Sequence, residues 1–131
     1  FNSPAGAYAN NPRLRGSVGF VFTVADPPNK PTPSGTLVVT LTAGRQVFMS
    51  DEIDWMVTTA SAAQFHGTGR INGAAGYRFT VTAIDGRPDR IRISVWDASG
   101  TVVYDNRPGL PLDLELADPQ PINSGVVLII N

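Results

Sequence analysis

Few residues of this chain have side chains that could do chemistry, and their spacing favours binding over catalysis. His66 is the only histidine and there is no cysteine, so disulfides, thiolate nucleophiles, zinc–thiolate sites and iron–sulfur clusters are excluded within the chain. No serine stands in a nucleophile elbow near His66, as a hydrolytic triad would need. The acidic cluster Asp51, Glu52 and Asp54 is typical of a turn, and its spacing does not indicate the split carboxyl pKa values that glycoside hydrolysis requires. We therefore predict that the protein is not an enzyme.

Calcium binding is a second chemistry that the residue types allow. Side-chain oxygens recur at the ends of successive predicted hairpin arms, and hard oxygen donors at loop tips suit Ca²⁺. The same residues also have ordinary structural roles, because Asp and Asn are favoured in turns and at strand ends. A structural calcium ion is therefore kept as an alternative, and no other cofactor is predicted. Its ligands would be Asp85, Asp89, Asp97, Asp105 and Asn106.

The elements that would position a binding site are β-hairpins. From Gly67 to Asn106, apolar and polar residues alternate between short turns, of which Asn72-Gly73 and Asp85-Gly86 are the clearest. We predict a single all-β domain over residues 1–131: an antiparallel β-sandwich, or a flattened barrel, of about nine to ten short strands. The predicted strands are residues 17–25, 36–43, 46–50, 53–59, 63–71, 76–84, 90–97, 101–105, 112–117 and 125–130.

The alternation also predicts which side chains form the core. One parity of each strand is apolar, and Trp55 is in phase with the apolar residues of its strand, so we expect it to fill the core. The final strand, 125–130, is apolar on both faces, which predicts burial within a sheet or under a neighbouring module. The predicted core residues are Val18, Phe20, Phe22 and Val24; Leu37, Val39 and Leu41; Ile53, Trp55 and Val57; Tyr77, Phe79 and Val81; and Ile91, Ile93 and Val95.

The opposite parity places polar residues and one indole ring on a single sheet face. Turn lengths predict that Arg78 pairs across the strands with Trp96, and that Arg70 lies opposite Arg78. An aromatic ring that can stack on a pyranose, beside hydroxyl and guanidinium hydrogen-bonding groups, is the chemistry of sugar-binding modules. The alternative is a solvated face on which Arg78 and Trp96 make only a cation–π contact. The candidate ligand-binding residues are Trp96, Arg78, Arg92, Arg70, Thr80, Ser94 and His66.

The composition of the chain argues against nucleic acid as a partner and against a membrane-spanning segment. Ten basic and eleven acidic residues give a net charge of −1, without the basic footprint of a nucleic-acid-binding protein. No apolar run approaches the roughly 20 residues that span a bilayer, so no transmembrane segment is predicted. The first residues lack the basic start and apolar centre of a signal peptide, and we expect any export signal to lie outside this chain.

Several segments together resemble a known family. They are NSPAGAY (2–8) followed by NPRLRGSVGFVF, the pair Asp54-Trp55, AQFHGTGRING (63–73), GYRFTVTAIDG (76–86), and DRIRISVWD with VVYDN (89–106). This pattern resembles the C-terminal β-rich domain of large secreted and surface-associated bacterial proteins, sometimes called a post-choice-of-anchor domain. The resemblance implies an extracellular or bacterial cell-surface location, a parent protein with neighbouring domains, and a non-catalytic accessory role.

Two functions follow as expectations. The first is an adhesion or attachment module that binds polysaccharide or another cell-envelope component through one sheet face. The second is a structural or assembly domain without a soluble ligand, which acts by strand pairing between subunits. Two features motivate this second function: the apolar segment 125–130, and a first strand that is short compared with that of the family it resembles.

Overall fold

The chain folds into antiparallel β-structure, described here from a computed structural model for residues 1–25 and 29–122. These residues contain no helix, and so no helix that could cross a membrane. The described residues form nine strands: β1 (Asn2–Ser3), β2 (Gly16–Ala25), β3 (Ser34–Leu41), β4 (Gln46–Thr58), β5 (Ala62–Ile71), β6 (Ala74–Ile84), β7 (Arg90–Trp96), β8 (Val102–Asp105) and β9 (Gln120–Pro121).

The strands form one sheet in sequence order. Each of β1 to β7 pairs antiparallel with the next strand, and β9 also pairs with β7. The sheet curls into a half-barrel, and the start of the chain bridges its two edges. Residues 2–3 pair with β2, while Tyr8 forms a bridge with Tyr104 on β8. The all-β antiparallel prediction is confirmed, and one curled sheet fits the flattened barrel; a sandwich of two sheets is not seen among the described residues.

Strand β4 departs from the predicted pattern because it contains two β-bulges. The two strands predicted at 46–50 and 53–59 are one strand, whose pairing with β5 shifts between Ser50 and Glu52 and again between Ile53 and Trp55. Each bulge adds one residue to β4 and reverses which parity faces the core. Trp55 and Val57 are consequently 40% and 50% exposed, and their prediction as core residues is wrong.

Elsewhere the parity prediction holds. The central strands bury the expected residues, and Phe20, Phe22, Val24 and Tyr77 pack partly buried against them. The strand predicted at 112–117 is wrong, because these residues form bends and turns. The strand predicted at 125–130 lies outside the described residues. The confirmed buried residues are Val18, Leu37, Val39, Leu41, Ile53, Phe79, Val81, Ile91, Ile93 and Val95.

Hairpin register was predicted correctly in one place and wrongly in another. Between β6 and β7, Arg78 lies opposite Trp96 as predicted, along with Thr80 opposite Ser94 and Thr82 opposite Arg92. Between β5 and β6 the turn is the two-residue Asn72-Gly73, with both residues at positive φ, and a register shift follows it. Thr68, and not Arg70, therefore lies opposite Arg78.

Candidate functional site

The sheet face opposite the core, called the outer face below, is divided into two ends. One end lies beneath residues 107–119, an irregular stretch that we call the covering segment. The other end is accessible to solvent, and we call it the open end. Three of the predicted ligand-binding residues are therefore inaccessible, since Arg92, Ser94 and Thr80 are 1%, 2% and 4% exposed.

Arg92 holds the covering segment onto the sheet. Its Nε and Nη2 donate to the two carboxylate oxygens of Asp105 at 3.0 and 2.8 Å. The remaining donors reach backbone carbonyl oxygens of Leu110, Pro111 and Ala117 in the covering segment, at 2.9, 2.6 and 3.2 Å. A guanidinium group has five N–H donors, so these bonds occupy all of them. Arg92 has no donor left for a ligand.

Neighbouring polar side chains complete the covered end. Gln64 donates from Nε2 to the Thr82 hydroxyl and to the Leu112 carbonyl oxygen. Asn106 accepts from the backbone N–H of Ile93 and donates to the Ile91 carbonyl. These bonds explain how polar side chains are buried without penalty. Of the predicted ligand-binding residues, Arg92 thus belongs to the covered end. Thr80, which pairs with His66, and Ser94, which pairs with Thr80, are also buried.

The open end contains a row of three aromatic rings. His66 on β5 lies between Trp55 on β4 and Trp96 on β7, with ring centroids 5.6 Å away on each side. The Trp55 ring is parallel to the imidazole, at an interplanar angle of 3°, and the Trp96 ring is tilted by 42°. Trp96 is half-buried, whereas Trp55 remains 40% exposed. The row therefore offers apolar ring surface to solvent.

The bulges of β4 bring Trp55 into this row. Trp55 pairs with His66 only after the second register shift, which leaves Asp54 unpaired in the ladder. Gly67 makes the bulge compatible with the sheet, because a Cβ at this position would collide with the Glu52 carbonyl oxygen and lie 3.0 Å from the Phe79 ring. A glycine inside a strand often marks such a close backbone approach.

Charged side chains border the aromatic row. Asp54 Oδ2 lies 3.2 Å from His66 Nδ1 and 3.9 Å from Arg78 Nη1. The Asp54–His66 contact is short, but its geometry falls outside that of a regular hydrogen bond, and Nδ1 is otherwise buried without a partner. Arg70 donates from Nε to Asp51 at 3.0 Å. The predicted residues His66, Trp96, Arg78 and Arg70 are therefore all at the open end.

The imidazole of His66 favours its neutral form. Burial between the rings is the largest influence and lowers its pKa from 6.5, and the nearby Arg78 charge acts in the same direction. The Asp54 carboxylate opposes both by its charge and by its contact with Nδ1. Because the net shift is downward, desolvation outweighs the carboxylate, and at neutral pH the row is uncharged.

The residues predicted as calcium ligands do not lie together. Asp89 accepts the Gly86 N–H in the β6–β7 turn, and Asp97 accepts from Ser99 and Thr101 in the β7–β8 turn, at the opposite end of β7. Asp105 is paired with Arg92. Within residues 1–25 and 29–122, no group of three or more acidic or histidine side chains is arranged to hold a metal ion. Calcium binding stays an untested prediction.

Sequence reasoning missed Trp55 and Asp54 as members of this site. Alternation was applied without interruption to the strand predicted at 53–59, so the bulge between Ile53 and Trp55 went unnoticed. A signal was available in β5, where Gly67 and Gly69 occupy core-facing positions of a strand. Paired glycines at such positions indicate a bulge or a close approach of another backbone.

The chain was compared with known proteins in three ways. Comparisons with protein-family models, with curated proteins and with solved structures each found no match. The resemblance to post-choice-of-anchor domains therefore stays a prediction.

Proposed function

We propose that this protein is a non-catalytic extracellular module that binds polysaccharide through the open end of its outer face. The observation that carries the proposal is the row Trp55–His66–Trp96, in which a large ring remains 40% exposed beside hydrogen-bonding side chains. Exposing apolar ring surface to water is unfavourable in free energy. A ligand that covers the Trp55 ring removes this surface from water, which favours binding. The location at a bacterial cell surface comes from the sequence resemblance alone.

The chemistry of the row suits a sugar ring. A pyranose has an apolar face of C–H groups that packs on an indole, and hydroxyl groups around its edge. Asp54 can accept from such hydroxyls and Arg78 can donate to them, and the side chains of both are partly exposed, at 38% and 52%. Ring stacking gives affinity, and the paired polar groups fix the orientation of the sugar.

The surroundings of His66 favour binding over catalysis. A general base needs a partner hydroxyl or water in reach and an imidazole that exchanges protons near the working pH. Among the described residues, no hydroxyl or thiol donates to His66, and its pKa is lowered by burial between two indoles. These features suit an imidazole that acts as a fixed spacer between the tryptophan rings.

The proposal is tested by affinity electrophoresis or calorimetry of the purified domain against a polysaccharide panel. We expect Trp55→Ala to weaken binding at least about tenfold, as for an interface tryptophan at a hot spot, with little change in melting temperature. Val21→Ala is the matched control, since Val21 is 71% exposed on β2, away from the row. Equal affinity of Trp55→Ala and wild type would contradict the proposal.

The assembly alternative is not favoured by a specific observation. The first residues of the chain pair with their own sheet, with β2 on one side and β8 on the other, so they are not offered to another subunit. The apolar segment 125–130, which motivated the alternative, lies outside the described residues. Sedimentation of the domain at high concentration checks it, and a stable oligomer would favour it.

A further inference from the structure

The charges around the aromatic row indicate which class of polysaccharide suits the open end. Both of its arginines already face a carboxylate: Arg70 Nε is 3.0 Å from Asp51 Oδ1, and Arg78 Nη1 is 3.9 Å from Asp54 Oδ2. Glu52, on the same strand, is also exposed. Three carboxylates therefore stand against two guanidinium groups, and the open end is negative on balance.

This charge balance is a consequence of the backbone of β4. Asp51 and Asp54 are the two extra residues of its bulges, since the ladder with β5 skips both positions. A bulge frees a residue from the regular pairing and re-aims its side chain. The bulges thus set Asp51 beside Arg70 on the adjacent strand β5, and Asp54 within 3.9 Å of Arg78 on β6, one strand further away.

We propose that the open end binds neutral polysaccharides and discriminates against acidic ones, an inference that rests on the proposed function. An acidic polymer would bring carboxylate or sulfate groups next to Asp51, Glu52 and Asp54, and like charges at close range cost affinity. It would also compete with the aspartates for Arg70 and Arg78. The hydroxyls of a neutral sugar, by contrast, can donate to the aspartates and accept from the arginines without separating either pair.

The rest of the outer face does not offset the negative charge of the open end. The other two arginines of the outer face lie away from the open end: Arg92 is buried and fully bonded, and Arg90, two residues before it on β7, donates to the Pro119 carbonyl oxygen. The chain as a whole has a net charge of −1. A ligand that needed cationic recognition at the open end would find that both guanidinium groups already face a carboxylate. The fold thus places a carboxylate beside each arginine of the open end.

The test compares two panels of polymers with wild type and one double variant. The neutral panel contains β-glucan, glucomannan and xylan, and the acidic panel contains polygalacturonate, alginate and heparin. Binding is measured by affinity electrophoresis at about 0.05 M and about 0.5 M NaCl, because electrostatic attraction is screened over this range. In the double variant Asp51→Asn with Asp54→Asn, the carboxylates are replaced by neutral amides of the same shape.

For wild type we expect binding to at least one neutral polymer, with little dependence on salt, and no binding to the acidic panel. We expect the double variant to gain salt-sensitive binding to acidic polymers, because Arg70 and Arg78 are no longer paired. Circular dichroism and a thermal melt establish that the double variant is folded. Trp55→Ala should abolish neutral binding in either background.

The possible failures are distinguishable. Salt-sensitive binding of wild type to acidic polymers alone would overturn this inference and leave the proposed function standing. A folded double variant that gains no acidic binding would also overturn it, because the aspartates would not be masking the arginines. Binding to neither panel would overturn the proposed function together with the inference.

Discussion

The two ends of the outer face use similar residues for opposite purposes. Arg92 at the covered end and Arg78 at the open end lie on neighbouring strands of the same face, and both are accompanied by an aspartate. Arg92 is 1% exposed and makes five hydrogen bonds, whereas the Arg78 side chain is 52% exposed and lies 3.9 Å from its partner. Residue type and parity are therefore insufficient to separate a structural arginine from a binding one.

What separates them is a stretch of irregular chain. The covering segment alternates Leu112, Leu114 and Leu116 along the sequence, yet it forms no strand and instead presents three carbonyl oxygens to the buried Arg92. Burial strengthens each of these bonds and makes each costly to lose. The same sheet face is a packed interior at one end and a surface at the other.

The largest expected effect comes from removing the charge at the covered end. Arg92→Met keeps the aliphatic stem but leaves Asp105 buried without its partner, and breaking a buried ion pair typically costs about 3–5 kcal/mol. We expect the free energy of unfolding in urea to fall by this amount. Arg78→Met, the matched control, should change it by less than about 1 kcal/mol because exposed pairs contribute little.

A double variant sharpens this comparison. Combining Arg92→Met with Asp105→Leu removes the uncompensated charge, so part of the lost stability should return. If Arg92→Met and Arg78→Met destabilise the protein equally, the covered end is not an interior, and the division of the outer face is wrong.

A smaller effect is expected where the bulges of β4 rest on β5. Gly67→Ala places a methyl group against the Glu52 carbonyl oxygen, and backbone cannot move aside as a flexible side chain can. We expect a loss of about 1–3 kcal/mol, as for other overpacked sites, and a changed tryptophan fluorescence because Trp55 follows the bulge. Both are measured in one urea titration.

Gly19→Ala is the control for this substitution. Gly19 is also within a strand, but a Cβ there would meet only Thr40 at 4.0 Å, an ordinary contact. We expect its free energy of unfolding to match wild type within about 0.5 kcal/mol. A Gly67→Ala variant as stable as Gly19→Ala, with unchanged fluorescence, would show that the bulges do not depend on this glycine.

The sequence predicted the regular parts of the molecule and missed the irregular ones. Alternation and turn residues gave the register of β6 against β7 correctly, down to Arg78 opposite Trp96, because period-2 patterning and a short turn fix the pairing locally. The burial of Arg92 could not be predicted in this way. It depends on where the proline-rich covering segment lies in three dimensions, and residues 112–117 of that segment were predicted as a strand.

The candidate site was predicted in part, because sequence alternation identifies its residues only where the strands are regular. His66, Trp96 and Arg78 follow regular alternation on unbulged stretches, and they were assigned to the correct face. Trp55 follows the second bulge of β4, which reverses the parity set by the buried Ile53, and it was assigned to the core. The second tryptophan of the row is thus visible only when the register between β4 and β5 is known.

The smallest expected effect is the pH dependence of the open end, which comes from His66. Its pKa is lowered from 6.5 in the folded protein, first by burial and then by Arg78, against the opposing Asp54. Above pH 6.5 the imidazole is neutral in both folded and unfolded chains and contributes no penalty. As the pH falls below 6.5 the unfolded chain takes up the proton first, so stability declines until the pH has passed the folded pKa.

The variant His66→Phe isolates this contribution, because it keeps a ring between the two indoles but cannot be protonated. We expect the melting temperature of wild type to fall relative to that of His66→Phe between about pH 7.5 and about pH 5. Other titrating groups are common to both proteins and cancel in the difference. A relative rise of wild type at low pH would mean that Asp54 outweighs burial and that the folded pKa lies above 6.5. The row would then carry positive charge at mildly acidic pH, and its preference for neutral polysaccharides would be confined to higher pH.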